Sequence, residues 1–506
     1  MQLQRQSEGQ SRRRFIQQAA GCVAVAATGP VSALSGLQAP KSSAQKTVGI
    51  QIGAVSFVDE GVEPVLDLLQ ERAAVDTLYL TTFTYGRGLA GRQIPGHPFP
   101  DHGKAESDQQ TFYGGLYATP HPQFYSGTSF KPIRAPEHGD FDIVAAVLPA
   151  ARQRRLRVFC SIEDVFRADL PGLSEVAEVD LQGRKTSTLC LYHPEVRAFW
   201  TGLATDLCTS YEIDGILFFN ERNGPLLNAL GASHAQRIAS SSVTCFCPHH
   251  QRAAQQQGID MERARRGYLE LDRFVQSALR GVRPSDGYFV QFCRLLVEWP
   301  EIVAWDRLFD AAKHQVLSEV RAAVKRVRPN LQVGFHIEHV NSFNPWFRAT
   351  RSYADLAGRA DFLKVVVYNN CGGERYANFI RNIGATVFAD VPRELLLQFN
   401  NHLLNYGAEA DLEALAAAGL SPDYVAREIR RARAGVQGRC KVLAGIDVGI
   451  PTGPKSRKAS PDDTYAAVRA ALEAGADGLI LSRKYSEMPL ANLTAAGRAV
   501  RQFGKG

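Results

Sequence analysis

The residues that bear on chemistry begin at the tip of an apolar run. Ile216-Leu217-Phe218-Phe219 ends in Asn220-Glu221, a carboxamide and a carboxylate after residues that read as a strand buried on both faces. In a parallel barrel, polar groups at a strand's C-terminal tip stand at the mouth, where such folds keep their chemistry. Acids recur at equivalent places: Glu163 and Asp164 after residues 157–162, Glu338 after residues 332–336, and Asp447 after residues 442–446. Cleavage of a glycosidic bond needs two carboxyl groups flanking it, about 5 Å apart for retention or about 6.5–9.5 Å for inversion, one of them kept protonated by its surroundings. Glu221, Asp447 and Glu163 are therefore the candidate catalytic groups. Each has a plainer reading: Glu221 paired with Arg222, Asp447 starting the turn Val448-Gly449-Ile450-Pro451, and one acid of Glu163-Asp164 capping a helix.

Neighbouring polar residues suit a hydroxyl-rich ligand: Asn220, Arg222, His336, Glu338, Tyr368, Asn369 and, after the second strand, Tyr85. Strand alternation predicts that His336 and Glu338 share one side, with Phe335, Ile337 and His339 on the other. Lys364, inside Phe362-Leu363-Lys364-Val365-Val366-Val367-Tyr368, shares a face with Val366 and Tyr368 and so projects into a barrel. A desolvated lysine has a depressed pKa and can form a Schiff base, which sets a lyase or aldolase against the hydrolase. A lysine paired with Glu221 or Glu338 is the simpler outcome. Cys245-Phe246-Cys247-Pro248-His249-His250 gathers four soft ligands, but Cys-x-Cys is tight for one tetrahedral ion. A disulfide or a packed loop is expected there, with no metal and no other cofactor.

These residues need a frame. From residue 48 onward strand-like runs alternate with helical ones: strands over 48–57, 77–83, 157–162, 215–220, 332–336, 362–368, 442–446 and 478–482, with helices such as 62–73, 141–154, 195–211, 422–434 and 462–474 among them. Eight such units predict an α/β fold, a (β/α)8 TIM barrel over residues 47–506. No Gly-rich phosphate loop of the kind found in doubly wound sheets follows the first strand. Two long insertions, residues 84–140 and 223–300, follow the second and fourth strands and are expected over the mouth. Aromatics at 85, 112, 113, 117, 124, 125 and 130 make the first of them a candidate for stacking on sugar rings.

On these residues the layout resembles clan A glycoside hydrolases, whose fourth strand also ends in Asn-Glu. That resemblance implies Glu221 as acid/base, Asn220 on a sugar 2-hydroxyl, and a nucleophile at the end of strand seven, where Asp447 stands in place of the clan's usual Glu. Glu163 and Glu338 are the substitutes if Asp447 is too short. Asp214-Gly215-Ile216 resembles the strand start of glycoside-hydrolase-like barrels of exported bacterial proteins; Asp214 itself lies at the opposite, stabilising face. The reading is an exported glycoside hydrolase using paired carboxylates, with a Schiff-base lyase through Lys364 or a non-catalytic carbohydrate-binding barrel as alternatives.

At the N-terminus, Arg12-Arg13-Arg14-Phe15-Ile16, a modest apolar stretch and Val31-Ser32-Ala33 resemble a twin-arginine export signal over residues 1–33, followed by a linker to residue 46. Cys22 lacks the flanking Leu of a lipoprotein box. Removing the signal takes away four arginines and one glutamate and lowers the formal charge from +7 to +4. A chain this weakly basic, without dense Lys/Arg runs, is not expected to bind nucleic acid. A carbohydrate is the expected partner, the location periplasmic or secreted, with no membrane contact after signal removal. Eight cysteines remain, too few for a disulfide-stapled scaffold of this length.

Overall fold

The apolar runs of this chain form strands of five to eight residues, buried along nearly their whole length, so each needs cover on both faces. A parallel sheet rolled into a ring supplies that cover, with inward side chains filling the ring and outward ones meeting helices. The computed structural model describes residues 46–92, 101–234, 243–407 and 409–504. The expected export signal, the linker up to residue 45 and Pro95-Gly96-His97-Pro98 lie outside them. Strands β1 (Thr47–Ile52), β2 (Thr77–Thr84), β3 (Arg157–Glu163), β4 (Gly215–Phe219), β5 (Gln332–Ile337), β6 (Phe362–Val366), β7 (Lys441–Asp447) and β8 (Gly478–Ser482) each pair parallel with the next. β1 pairs with both β2, at Gly49 and Thr77, and β8, at Val48 and Leu479, so the eight-stranded ring is closed.

The lower interior is a plug made by Tyr79, Phe159, Leu217, Phe219, Phe362, Leu443 and Ile480. Two glycines make it fit. A Cβ on Gly49 would meet the Tyr79 ring at 2.4 Å, and one on Gly334 would meet the Phe362 ring at 2.1 Å. Large rings on some strands thus require bare backbone on their neighbours, the interlocking by which small barrels fill their interior.

Helices cover the outside, among them Val62–Ala73, Ile143–Gln153, Pro194–Ser210, Glu301–Val327, Pro422–Val436 and Pro461–Glu473. Two strand boundaries differ from the sequence expectation by more than one residue. The first strand stops at Ile52 because Gly53 begins a helix, Ala54–Glu60; the sixth stops at Val366 because Tyr368 already caps the helix Asn369–Ile383. No helix among the described residues is long and apolar enough to cross a membrane.

The insertion after β2 does not present its aromatics to the mouth. Gly115–Leu116 pairs antiparallel with the end of β2, and the chain then runs down the flank of helix Pro194–Ser210. Tyr125 Oη donates to Asp206 Oδ2 at 2.9 Å, and the Phe130 ring packs 5.2 Å from Phe199. Gly202 lets the Phe124 carbonyl approach to where a Cβ would be only 2.5 Å away. Tyr117, Tyr125 and Phe130 are buried, so the expected stacking role gives way to core packing. The insertion after β4 contributes helices Pro225–Leu230, Pro248–Gln256, Met261–Leu279 and Tyr288–Glu298.

Gly334→Ala tests the interlocked plug: the added methyl forces the Phe362 ring against Tyr79 and Phe159. An overpacking cost of about 1–3 kcal/mol is expected, read as a lower denaturant midpoint with an unchanged slope.

Candidate active site

Alternation along β4 decides which polar groups reach the barrel axis. Leu217 and Phe219 belong to the plug, so Glu221, two residues on, faces the axis while Asn220 and Arg222 face outward. The outward pair is held by buried charges. Asn220 Nδ2 donates to Asp164 Oδ2 at 2.7 Å and Arg222 Nη2 to Asp164 Oδ1 at 2.7 Å; Arg222 Nη1 reaches Glu178 Oε1 at 3.1 Å and the Leu189 carbonyl at 2.6 Å. Arg351 donates to the Arg222 carbonyl at 2.8 Å and binds Asp310. Asn220, expected on the ligand, instead anchors the loop that carries Glu221; Arg222 anchors it too and also lines the hollow beside Glu221.

The same sorting separates His336 from Glu338. His336 faces inward, its ring 4.7 Å from that of Phe219, and its Nε2 meets Glu221 Oε1 at 2.5 Å. β5 then ends at Ile337 and the chain turns into the short 3-10 helix His339–Ser342, so strand alternation no longer applies. Glu338 consequently points outward to Lys313 of helix Glu301–Val327 and to Arg351 at 3.8 Å, which corrects the expectation that it shares a side with His336.

Above the plug the axis turns polar. Lys364, fully buried, donates from Nζ to Gln51 Oε1 and to Tyr368 Oη, the latter at 2.9 Å. Gln51 Oε1 also accepts from Ser482 Oγ at 2.8 Å. The Lys364 ammonium lies 5.2 Å from the centre of the Phe219 ring, within cation–π reach. Lys364 and Tyr368 therefore share a face as the pattern of β6 predicts. Glu163, at the tip of β3, accepts from the Thr84 hydroxyl.

Asp447, Asn369 and Tyr85 are placed differently. Asp447 is fully buried and accepts the backbone amides of Cys371 at 2.9 Å, Gly449 at 3.2 Å and Ile450 at 3.0 Å, with the Cys371 thiol against its carboxylate as well. It thereby holds the turn after β7 and the first turn of helix Asn369–Ile383, the plainer of its two readings. Asn369 is buried as the first residue of that helix. Tyr85 is buried among Phe83, Tyr113 and Phe166, away from the axis. Asp214 lies at the opposite end of the barrel, where its carboxylate accepts from the Val158 amide at 2.7 Å.

The two inward glutamates are biased in opposite directions. Burial lifts Glu163 from an ordinary 4.5 to about 7; the Thr84 hydrogen bond pulls it back only in part, and the negative charge of Glu221 pushes it further up. Burial also favours the neutral form of Glu221, but the charge and hydrogen bond of His336, with Arg375 and His234 beyond, outweigh it and hold its carboxyl well below the usual range. Glu221 lies deep among protein atoms yet opens on a hollow, its side chain 55% accessible, so water there screens part of this effect. Burial, and then the Lys364 charge, push His336 down against the pull of Glu221. Burial drives Lys364 down to about 7 against the pull of Glu221 and Glu163.

Glu221 borders a hollow of about 680 Å³ walled by Glu178, Asp180, Arg184, Thr188, Asn228 and Thr244, a polar lining suited to hydroxyls. Sequence reasoning missed Gln51, Ser482, Arg375 and His234. Gln51 and Ser482 are single polar residues inside apolar strands, a signal of the kind that singled out Lys364. Arg375 and His234 sit on elements whose approach to the axis has no local signature. Separately, Cys190, Cys245, Cys247 and His250 converge outside the axis with ligand atoms within 4.8 Å of one another.

No family model and no curated protein matches the chain in sequence. Solved structures do match its backbone. Alpha-L-fucosidase isoenzyme 2 from Paenibacillus thiaminolyticus is 12% identical with a TM-score of 0.49, over 90% of this chain and 49% of that one. The PgaB (BpsB) glycoside hydrolase domain from Bordetella bronchiseptica is 10% identical with a TM-score of 0.45, over 91% and 99%. A beta-galactosidase from Halorubrum lacusprofundi is 12% identical with a TM-score of 0.49, over 90% and 58%. The chain thus spans about half the length of the fucosidase. At these identities the likeness is one of barrel fold.

Two stability measurements test this arrangement. Arg222→Met leaves Asp164 and Glu178 buried without their cation and is expected to cost about 3–5 kcal/mol in denaturant unfolding. For Glu163 the folded-state value is raised, so its penalty is absent below about 4.5, grows as pH rises and is complete above about 7. Glu163→Gln removes that penalty and is expected to be more stable than wild type by about 1–3 kcal/mol at pH 8, with the gain largely gone at pH 5.

Proposed function

We propose that the chain is a glycoside hydrolase whose paired carboxyl groups are Glu163 and Glu221. The observation that carries this reading is two inward carboxyl groups at the tips of adjacent strands in contrasting electrostatic surroundings, one of which, Glu221, opens on a polar hollow. Glu163 pairs in register with Phe219, two residues before Glu221. One strand spacing and two residues of rise separate their Cα atoms by about 8 Å, close enough for two carboxyl groups to flank one bond. In its protonated form, which burial keeps populated up to about pH 7, Glu163 gives its proton to the leaving oxygen. Glu221, ionised, either attacks the anomeric carbon or activates water, with His336 fixing its orientation. These roles exchange those implied by the clan resemblance, and Asp447 drops out because its oxygens are engaged by amides.

A second reading rests on Lys364: a buried amine titrating near 7 is what Schiff-base chemistry requires. Its enclosure beneath Tyr368 and its hydrogen bond to Gln51 favour a charge-holding role instead. Borohydride with carbonyl substrates separates the two, since a hydrolase leaves Lys364 unmodified. A binding barrel without catalysis is the remaining alternative. Export by the twin-arginine route, giving a periplasmic or secreted enzyme with a carbohydrate partner, is supported by the pattern of residues 12–33.

A panel of chromogenic glycosides tests the assignment. Glu221→Gln is expected to lose about 10²–10⁴-fold on every substrate. Glu163→Gln is expected to lose as much on poor leaving groups but little on dinitrophenyl glycosides, which need no protonation. Activity is expected to fall as pH rises through about 7, where Glu163 loses its proton. Thr84→Val removes the hydrogen bond that favours the ionised form and moves this limb to higher pH. Equal activity of both Gln variants with wild type, or no turnover of any glycoside by wild type, removes the hydrolase reading.

A further inference from the structure

Three cysteines and a histidine from three separate segments meet at one buried point away from the barrel axis. Cys190 follows the second strand of an antiparallel hairpin formed by Ala177–Val179 and Lys185–Leu189. Cys247 caps helix Pro248–Gln256, and its Sγ accepts from the His250 amide at 3.5 Å, so one helical turn sets Cys247 and His250 side by side. Cys245 approaches from the preceding extended segment, its Sγ accepting from the Val179 amide at 3.4 Å. All four residues are buried. Cys190 Sγ lies 3.3 Å from Cys247 Sγ and 3.4 Å from His250 Nδ1, and Cys247 Sγ lies 3.8 Å from that same nitrogen.

These separations decide between two chemistries. A disulfide needs its sulfurs about 2.05 Å apart, and it would leave a third thiol and an imidazole buried beside it. Two thiolates at the corners of a zinc tetrahedron, with bonds of about 2.3 Å, lie about 3.8 Å apart, close to the spacing here. The imidazole is held to that purpose. The Tyr192 ring packs 4.8 Å from it, Trp305 and Phe309 wall it further out, and Nε2 has no hydrogen-bond partner among the described residues, so Nδ1 is turned to the sulfurs. His249 points elsewhere, its ring 4.1 Å from that of His193.

We propose that Cys190, Cys245, Cys247 and His250 form a tetrahedral zinc site that clamps the hairpin of residues 177–189 to the insertion after β4. Four protein ligands close the coordination sphere and leave no position for substrate, so the ion is structural. The clamped hairpin supplies Glu178, Asp180, Arg184 and Thr188 to the wall of the hollow beside Glu221. Binding displaces thiol protons and ties the shape of the hollow to the metal without involving it in the reaction.

The test uses the full chain expressed with zinc. Elemental analysis is expected to find one zinc per chain, released by a thiol-specific mercurial, and cobalt exchanged into the site is expected to show thiolate-to-cobalt charge transfer with tetrahedral visible bands. Cys190→Ser and His250→Ala lose the zinc, whereas Cys293→Ser, altering a cysteine outside the cluster, retains it. Stripping the wild-type protein is expected to raise hydrogen exchange in residues 177–190 and 243–250 while the barrel strands stay protected. A wild-type protein that holds no zinc after reconstitution, or whose intact mass shows two hydrogens lost to a Cys190–Cys247 disulfide, overturns the proposal; neither measurement depends on a variant folding.

Discussion

One ammonium group organises the centre of this barrel. Lys364 Nζ sits where the aromatic plug ends and the polar mouth begins, with Phe219 beneath it and Gln51 and Tyr368 as its hydrogen-bond partners. Two neutral partners do not replace the hydration of a cation, so the remaining stabilisation comes chiefly from the field of Glu221, joined by Glu163 as it loses its proton. The same charge pushes His336 toward its neutral form. Because Glu163 and Lys364 both titrate near 7, adding or removing one proton redistributes charge over the whole group, and its apparent values belong to the set. An ionised Glu221 and a Lys364 in part charged offset one another, which lowers the cost of burying either.

That inner cluster keeps its shape because an outer layer of ion pairs holds the alternate residues. Arg222 is locked between Asp164 and Glu178, Glu338 lies against Lys313, and Arg351 against Asp310. A strand tip cannot rotate without exposing one of these charges to an apolar interior, so Glu221 and His336 are held inward by what their neighbours do outside. Such pairs contribute little net stability against apolar packing, but breaking them is costly, which suits them to fixing orientation. The hairpin that supplies Glu178 is also the one that Cys190 follows, so the cysteine cluster and the ion pairs act on the same wall of the hollow.

The fold was legible because apolar runs of strand length alternate with amphipathic helices, a pattern that depends only on local sequence. The inward direction of Lys364 was legible for the same reason, since it lies within β6, and Tyr368, two residues past the strand's end, keeps to the same side by its hydrogen bond with Lys364. Legibility ended where strands did. Polarity at a strand tip marks the mouth but not the side, so it does not tell Asn220, which turns to Asp164, from Glu221, and Glu338 is turned outward by a 3-10 turn that resets the alternation after Ile337. Tyr125 and Phe130 carry no local sign that they pack on helix Pro194–Ser210. Cys190 and His250 are separated by helix Pro194–Ser210, β4 and helix Pro225–Leu230, and no spacing rule joins them.

Asp447 shows how a residue can matter to a site it does not enter. Burial lifts its carboxyl above the ordinary range, and the amides of Cys371 and Ile450 pull it back. Its oxygens join the end of β7 to the first turn of helix Asn369–Ile383, two strands' worth of mouth tied at one side chain. One turn further along that helix stands Arg375, whose guanidinium lies 5.8 Å from the centre of the Tyr368 ring and meets His339 Nδ1 at 3.1 Å. Arg375 is among the charges that keep Glu221 ionised. An acid at the strand-seven tip thus acts on the strand-four glutamate through the helix it caps, and a side chain one methylene longer would carry its oxygens past the amides that set that helix in place.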